Sequence, residues 1–198
     1  MKELTEEDFQ EAAKLIGCEV AMVKAVNAVE APRGAFDEQG RPTILFEPFW
    51  FGRLTKHEFD GATVKIEGIE YPLSLKGQWD AKKAKYGKFS IQYQKLKAAE
   101  YFDLNSARKA CSWGAFQLMG FNWKECGFKD FDSFYNAMHE SAGAQLKAFC
   151  NFIISKNIAQ YLISKNFTKF AELYNGKGQI EKYAKGIQGL YNSFSTPS

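Results

Sequence analysis

Residues 18–34, CEVAMVKAVNAVEAPRG, constrain the fold more than any other stretch of the chain. Lys24 and Asn27 are the only polar interruptions in a helical pattern that is apolar on nearly every face. Such a helix is normally buried at the centre of a domain. We therefore expect a single core built around this helix. Its apolar members are Ala21, Met22, Val23, Ala25, Val26, Ala28 and Val29.

The predicted central helix ends on a single carboxylate, Glu30, because Pro32 and Gly34 stop the helix just beyond it. A carboxyl group at the edge of a hydrophobic core tends to have a raised pKa, since desolvation and the negative helix end both disfavour its charged form. This is the environment of a general acid in glycoside cleavage. A solvated glutamate just past a core helix is the alternative, and these residues alone leave it open.

The flanking segments predict further helices and little β structure. Thr5 and Asp8 form a capping-box pattern for a first helix that Gly17 closes. TILFE predicts a short strand leading to Glu47, FWFGRLT predicts a short helix, and alternating residues around Glu67-Gly68 predict a hairpin.

Residues 90–198 give an almost wholly helical pattern, including SARKACSWGAF with Asn105 as a cap and a later helix capped by Asp132 or Ser133. The predicted fold class is therefore mainly α: one domain over residues 1–198 with a small β-hairpin element.

Composition limits the classes of function. The 198 residues suffice for one full core, and the aromatic fraction of 16% exceeds what that core needs, so some rings should line a groove. The net charge of +3 does not by itself argue for nucleic-acid binding. The first ten residues are polar and acidic, which predicts no secretory signal, and no apolar run is long enough to span a membrane.

The cysteines and histidines predict no metal site. The four cysteines, at positions 18, 111, 126 and 150, lack CxxC spacing and indicate reduced core thiols, although a disulfide pair stays open. Only two histidines are present, which leaves little for a zinc site.

Three further stretches could carry chemistry. Downstream of Glu30, Asp37, Glu38 and Glu47 could supply a second carboxyl group, as glycosidases require. Alternatively, Glu47 is structural and pairs with Arg41 or Arg53.

The second stretch, SWGAFQLMGFN, places two glycines, aromatic rings and amides together. Gly114 would permit close approach to a ligand, while Gln117 and Asn122 could hydrogen-bond sugar hydroxyl or acetamido groups. A tightly packed helix with a solvated Gln117 is the alternative.

The third stretch, YNGKG, lacks the spacing of a phosphate-binding loop, and it is an ordinary helix C-terminus unless Tyr174 presents its hydroxyl to a cleft.

In this order, VEA, GRPTILFEPFWF, SWGAFQLMGFNWKECGF and YNGKG resemble the N-acetylmuramidase family of phage endolysins and related bacterial enzymes. The resemblance covers about residues 15–190. The pattern is more distantly similar to goose-type lysozymes and lytic transglycosylases, which share a helix-end Glu, a Gly-x-x-Gln element and a Tyr-Asn pair.

The resemblance implies a lysozyme-like fold with Glu30 as the catalytic acid, Gln117 in contact with the bound sugar and Tyr174 near the acid. Ala31 replaces the usual Ser after the catalytic Glu, and Pro48 stands where the family often has His. The implied glycan-binding residues are Ser112, Trp113, Phe116, Gln117, Tyr174 and Asn175, with Glu47 as the best candidate for the second catalytic group.

The expected activity is cleavage of the β-1,4 bond between N-acetylmuramic acid and N-acetylglucosamine. A lytic transglycosylase giving anhydro products and a non-catalytic peptidoglycan-binding module are the alternatives. We expect peptidoglycan strands as the binding partner, with no nucleic acid, membrane insertion, cofactor or metal.

We also expect a monomer without a separate wall-binding domain. It would be made in the host cytoplasm and would act on the cell wall, in the periplasm, after release through a separate pore-forming protein.

Overall fold

The structure is a computed structural model that describes residues 3–176 and 180–195. Within these ranges the chain is mainly α-helical, as predicted, and it has two small antiparallel sheets where one hairpin was predicted. The helices are α1 (Glu6–Ile16), α2 (Val20–Glu30), α3 (Pro48–Leu54), α4 (Ala81–Ala84), α5 (Gln92–Glu100), α6 (Leu104–Lys109), α7 (Phe131–Glu140), α8 (Ala142–Ser155), α9 (Ala159–Ile163), α10 (Phe167–Asn175) and α11 (Ile180–Ser195). Short 3₁₀ turns cover Phe89–Ile91 and Gly120–Asn122.

Helix α2 is the central helix that the sequence predicts. Met22, Val23, Ala25 and Val26 are each at most 1% exposed, and α2 packs against α1 and α11. Ala28 is exposed, so one face of the helix reaches the surface. The capping box at the start of α1 and the left-handed Gly17 at its end are confirmed.

Two sheets lie beside the helical core. Strands β2 (Thr63–Ile66) and β3 (Ile69–Pro72) form the predicted hairpin, whose turn residues Glu67 and Gly68 both have positive φ. Strands β1 (Ile44–Phe46), β4 (Cys111–Trp113) and β5 (Leu118–Met119) form a second antiparallel sheet in the order β1-β4-β5.

The prediction of a helix through SARKACSWGAF is wrong. Helix α6 ends at Lys109, and the chain turns into the β4-β5 hairpin, where Leu45 pairs with Ser112 and Ser112 with Met119. The predicted caps also differ, because Asp103 caps α6 and Asp130 caps α7.

One buried side chain joins this hairpin to the helices. Gln145 of α8 is 1% exposed; its Oε1 accepts a hydrogen bond from the Ala115 backbone N–H (2.8 Å), and its Nε2 donates to the carbonyls of Met138 (2.8 Å) and Ala35 (3.3 Å). Gly114 makes room for this amide, since a Cβ there would clash with its Oε1. Gly114 therefore allows close packing against Gln145, which is the alternative that the sequence left open, and its approach to a ligand stays a prediction.

We expect Gln145→Leu to lower the free energy of unfolding by about 2–4 kcal/mol, because it leaves three buried backbone groups without their partner. Urea denaturation monitored by circular dichroism measures this. Gln94→Leu, at an exposed position of α5, is the matched control and should change stability by less than about 0.5 kcal/mol. Equal stability of the two variants would contradict this role for Gln145.

Candidate active site

Glu30 is the last residue of α2, and it borders a cavity of about 350 Å³. Three segments far apart in sequence meet there: the end of α2, the β4-β5 hairpin and α10. The cavity is lined by Val29, Glu30, Pro32, Arg33, Phe116, Gln117, Leu118, Met119, Asn122, Phe152, Tyr174 and Tyr183. The fold thus brings Glu30, Phe116, Gln117 and Tyr174 together.

Tyr174 of α10 lines this cavity. Its hydroxyl donates a hydrogen bond to the Phe116 carbonyl (2.9 Å), and its ring stacks on Phe170 and meets Phe149 edge-on. Burial, and after it the nearby charge of Glu30, raises the pKa of Tyr174 well above its ordinary value. The phenol is therefore a neutral donor that fixes the hairpin beside the Glu30 carboxylate.

Gln117 occupies the turn of the β4-β5 hairpin with a left-handed backbone (φ 48°). Ser112 Oγ donates to its Oε1 (2.8 Å), and its Nε2 donates to the Gly114 carbonyl (2.9 Å). The amide is therefore held in one orientation at the cavity wall. Ser112 is buried and acts through Gln117, since it does not itself line the cavity.

Trp113 does not line the groove that the resemblance implies. Its side chain is fully buried in the core, where Nε1 donates to the Arg108 carbonyl (2.9 Å) and the ring packs edge-on against Tyr135. Asn175 ends α10, and its side chain lies outside the described residues.

Glu47 follows β1 and takes part in a chain of hydrogen bonds that no sequence pattern predicts. Its Oε2 accepts from the Tyr86 hydroxyl (2.6 Å), which in turn accepts from Trp79 Nε1 (2.7 Å). The predicted alternative of an arginine pair is wrong: Arg41 pairs with Asp37, and Arg53 lies over the Trp50 ring. Tyr86 and Trp79 come from the segment between β3 and α5, whose sequence, QWDAKKAKYGK, predicts a basic linker or the start of a helix and which contains the short helix α4.

A buried lysine lies beside Glu47. Lys95 of α5 has 0% of its surface exposed, and its Nζ is within 6 Å of the ring centroids of Phe46, Tyr71 and Tyr86. Its Nζ also donates to a backbone carbonyl at 3.4 Å.

Burial affects both charged groups of this pair. It raises the pKa of Glu47, although the Tyr86 hydrogen bond and the charge of Lys95 work against the rise. Burial also lowers the pKa of Lys95 to about 8, against the influence of Glu47. The two groups therefore support each other's charged states.

The strand register relates Glu47 to the Glu30 cavity. Cross-strand partners point to the same face of a sheet, as do alternate residues along a strand. Leu45, Ser112 and Met119 are paired across the three strands, and Glu47 continues the Leu45 face, its N–H donating to the Ala110 carbonyl (3.1 Å). Met119 lines the Glu30 cavity, whereas Glu47 does not. Glu47 thus lies on the same sheet face as Met119 but outside the cavity, which Leu118 of the opposite face also lines.

The described residues contain no group of three or more His, Cys, Asp or Glu that could hold a metal ion. All four cysteines are free thiols, as predicted. None of the helices in the described ranges is both long enough and apolar enough to cross a membrane.

Comparisons with known proteins show the family of the chain. The family model of N-acetylmuramidase matches residues 19–195. Among solved structures, the crystal structure of the Burkholderia AP3 phage endolysin is 35% identical in sequence, with a TM-score of 0.83. The match covers 98% of this chain and 71% of the endolysin chain. No curated protein matched the sequence.

We expect Lys95→Met to change how stability depends on pH. The folded pKa of Lys95 is about 8 against an ordinary 10.5, so the unfolded chain binds more protons between these values. The free energy of unfolding of the wild type should therefore rise relative to that of Lys95→Met from pH 8 to pH 10, by up to about 1.4 kcal/mol per pH unit.

Urea unfolding of both proteins at pH 7, 8.5 and 10 measures this difference. Lys97→Met, at an exposed position of the same helix, should keep the pH slope of the wild type. Parallel stability curves for the wild type and Lys95→Met would contradict the assigned environment of Lys95.

Proposed function

We propose that this chain, which belongs to the N-acetylmuramidase family, hydrolyses the β-1,4 bond between N-acetylmuramic acid and N-acetylglucosamine. Family membership makes the chain a glycoside hydrolase, with peptidoglycan as its substrate. The single observation that carries the finer proposal is that Glu30, Gln117 and Tyr174 meet at one cavity from three distant segments.

Glu30 would act as the general acid. The glycosidic C–O bond breaks as an oxocarbenium-like transition state forms, and the departing oxygen takes its proton from Glu30. The end of a rigid, well-packed helix suits this task because the carboxyl group is held at a fixed place on the cavity wall.

Glu47 is our candidate for the second group. A water molecule must supply the oxygen of the new bond to the anomeric carbon and give up a proton, which Glu47 would accept. Its place on the same sheet face as Met119, a residue that lines the Glu30 cavity, supports this role. The charge of Lys95 and the hydrogen bond from Tyr86 also support it, because both favour the ionised carboxylate that a base needs.

The glycan would lie along the cavity with Phe116, Gln117 and Tyr174 as its nearest contacts, and Asn175 remains a candidate. Ser112 would act through Gln117, and Trp113 would support the hairpin from the core. We further propose that the protein acts as a monomer on the bacterial cell wall, after release from the cytoplasm in which it is made.

We expect Glu30→Gln to lose about 10³-fold in the rate of wall cleavage while it folds normally, because the amide keeps the shape but has no proton to transfer. Loss of turbidity of permeabilised Gram-negative cells measures the rate. Glu140→Gln, at the end of α7 and away from the cavity, is the matched control and should keep full activity. A folded Glu30→Gln protein that lyses at the rate of the wild type would refute the assignment, and an inactive wild type would indicate a non-catalytic binding module.

We expect the released fragments to carry reducing N-acetylmuramic acid ends, each heavier by one water than an anhydro end, because water is the proposed nucleophile. Mass spectrometry of fragments from purified peptidoglycan measures this. Anhydro ends would show instead that the 6-hydroxyl of the muramic acid attacks, as in a lytic transglycosylase, and would remove the need for Glu47 as the base.

A further inference from the structure

A second cavity, of about 550 Å³, adjoins the Glu30 cavity, and Arg33 lines both. The second cavity is formed by the loop after α2, the start of β1 and the segment that leads into α5. Its aromatic members include Phe36, Phe89 and Tyr93. Arg33 thus stands at the junction, three residues beyond Glu30.

The Arg33 guanidinium packs against an aromatic ring. Its central carbon lies 4.1 Å from the centroid of the Phe89 ring. A guanidinium stacked on an aromatic ring loses little of its mobility on binding, and its N–H edge stays available for a planar, bidentate acceptor. Arg33 is exposed and forms no ion pair or hydrogen bond with any residue in the described ranges.

The other arginine that lines the second cavity is ion-paired, unlike Arg33. Arg41 also stacks on a ring, 3.9 Å from the Tyr93 centroid, but it pairs with Asp37 at 2.7 Å. Burial would raise the pKa of Asp37, yet the hydrogen bonds and charge of Arg41 lower it overall, so this pair is neutral as a unit. Of the two arginines, Arg33 is therefore the one without an ion pair in the described ranges, although Glu38 also lines the second cavity and Glu30 the first.

We propose that Arg33 binds a carboxylate carried by the muramic acid side of the substrate. This proposal rests on the proposed function, since it concerns the same bound glycan. Each muramic acid has a lactyl group whose carboxyl either is free or bears a peptide with its own carboxylates. With that substituent bound in the second cavity, its carboxylate would accept hydrogen bonds from the Arg33 guanidinium. This contact would determine which sugar lies next to Glu30.

The test compares Arg33→Gln with the wild type on two wall preparations: intact peptidoglycan, and peptidoglycan whose carboxyl groups are capped as neutral methylamides. On intact walls, we expect Arg33→Gln to raise KM about 10-fold with little change in kcat, because a charged hydrogen-bonded contact is lost. On capped walls the two proteins should have equal KM. An unchanged KM on intact walls, or an equal defect on capped walls, would overturn the proposal.

Two controls make the result specific. Arg53→Gln removes an arginine that also stacks on a ring, Trp50, but lines neither cavity, and it should behave as the wild type. Sedimentation of walls with Glu30→Gln, with and without Arg33→Gln, reports binding without catalysis. About 10-fold weaker binding of the double variant is expected, and equal binding would count against Arg33.

Peptide-free glycan strands keep only the lactyl carboxylate. They therefore distinguish whether the lactyl group or the peptide supplies the carboxylate that Arg33 binds. A defect of Arg33→Gln that persists there assigns the lactyl group, and one that disappears assigns the peptide. The proposed function would fail separately, if the wild type cleaved none of these substrates. Cleavage of capped walls by the wild type, with no difference between wild type and Arg33→Gln on intact walls, would refute the role of Arg33 alone.

Discussion

The active-site geometry depends on one buried amide. Gln145 projects from α8 and is hydrogen-bonded to the loop that follows Glu30, to the turn after β4 and to the end of α7. The bonded residues of these segments, Ala35, Ala115 and Met138, lie 110, 30 and 7 residues from Gln145 in sequence. Backbone groups buried without a partner are unfavourable, so the loops must stay where this amide satisfies them. Gln145 thus ties the loop after Glu30 to the hairpin that carries Gln117, and the hydrogen bond from Tyr174 to the Phe116 carbonyl adds a second tie.

A second buried amide has the same function on the other side of β1. Gln92 of α5 is fully buried; its Oε1 accepts from the Phe46 N–H (3.1 Å), and its Nε2 donates to the carbonyls of Tyr86 (2.7 Å) and Lys88 (3.0 Å). It therefore fixes the end of β1, where Glu47 follows, to the segment that carries Tyr86. Glu47 is thus positioned by a segment that a buried glutamine attaches to a helix, whereas Glu30 is held at the end of α2 and Gln145 fixes the loop beyond it.

These anchors explain which features could be predicted from the sequence. Local sequence signals were sufficient to predict α1, α2 and the Glu67-Gly68 hairpin, because capping residues and hydrophobic periodicity act within a few positions of the chain. The segment CSWGAF was misassigned as helix, since its strand pairing with β1 and the fit of Gly114 against Gln145 involve residues 30 or more positions away. Glu30 and Tyr174 could be chosen from motif order, whereas Tyr86, Lys95 and Arg33 left no local signal.

The buried Lys95 has a physical explanation in the proposed chemistry. A hydrolase of this kind needs one carboxyl group that holds a proton and another that can accept one. Burial by itself favours the protonated form of any carboxyl group, and at Glu47 it does raise the pKa. Tyr86 and Lys95 oppose that effect through a hydrogen bond and a positive charge. A desolvated lysine is unfavourable on its own, yet beside Glu47 it keeps the carboxylate closer to the charged state that water activation requires.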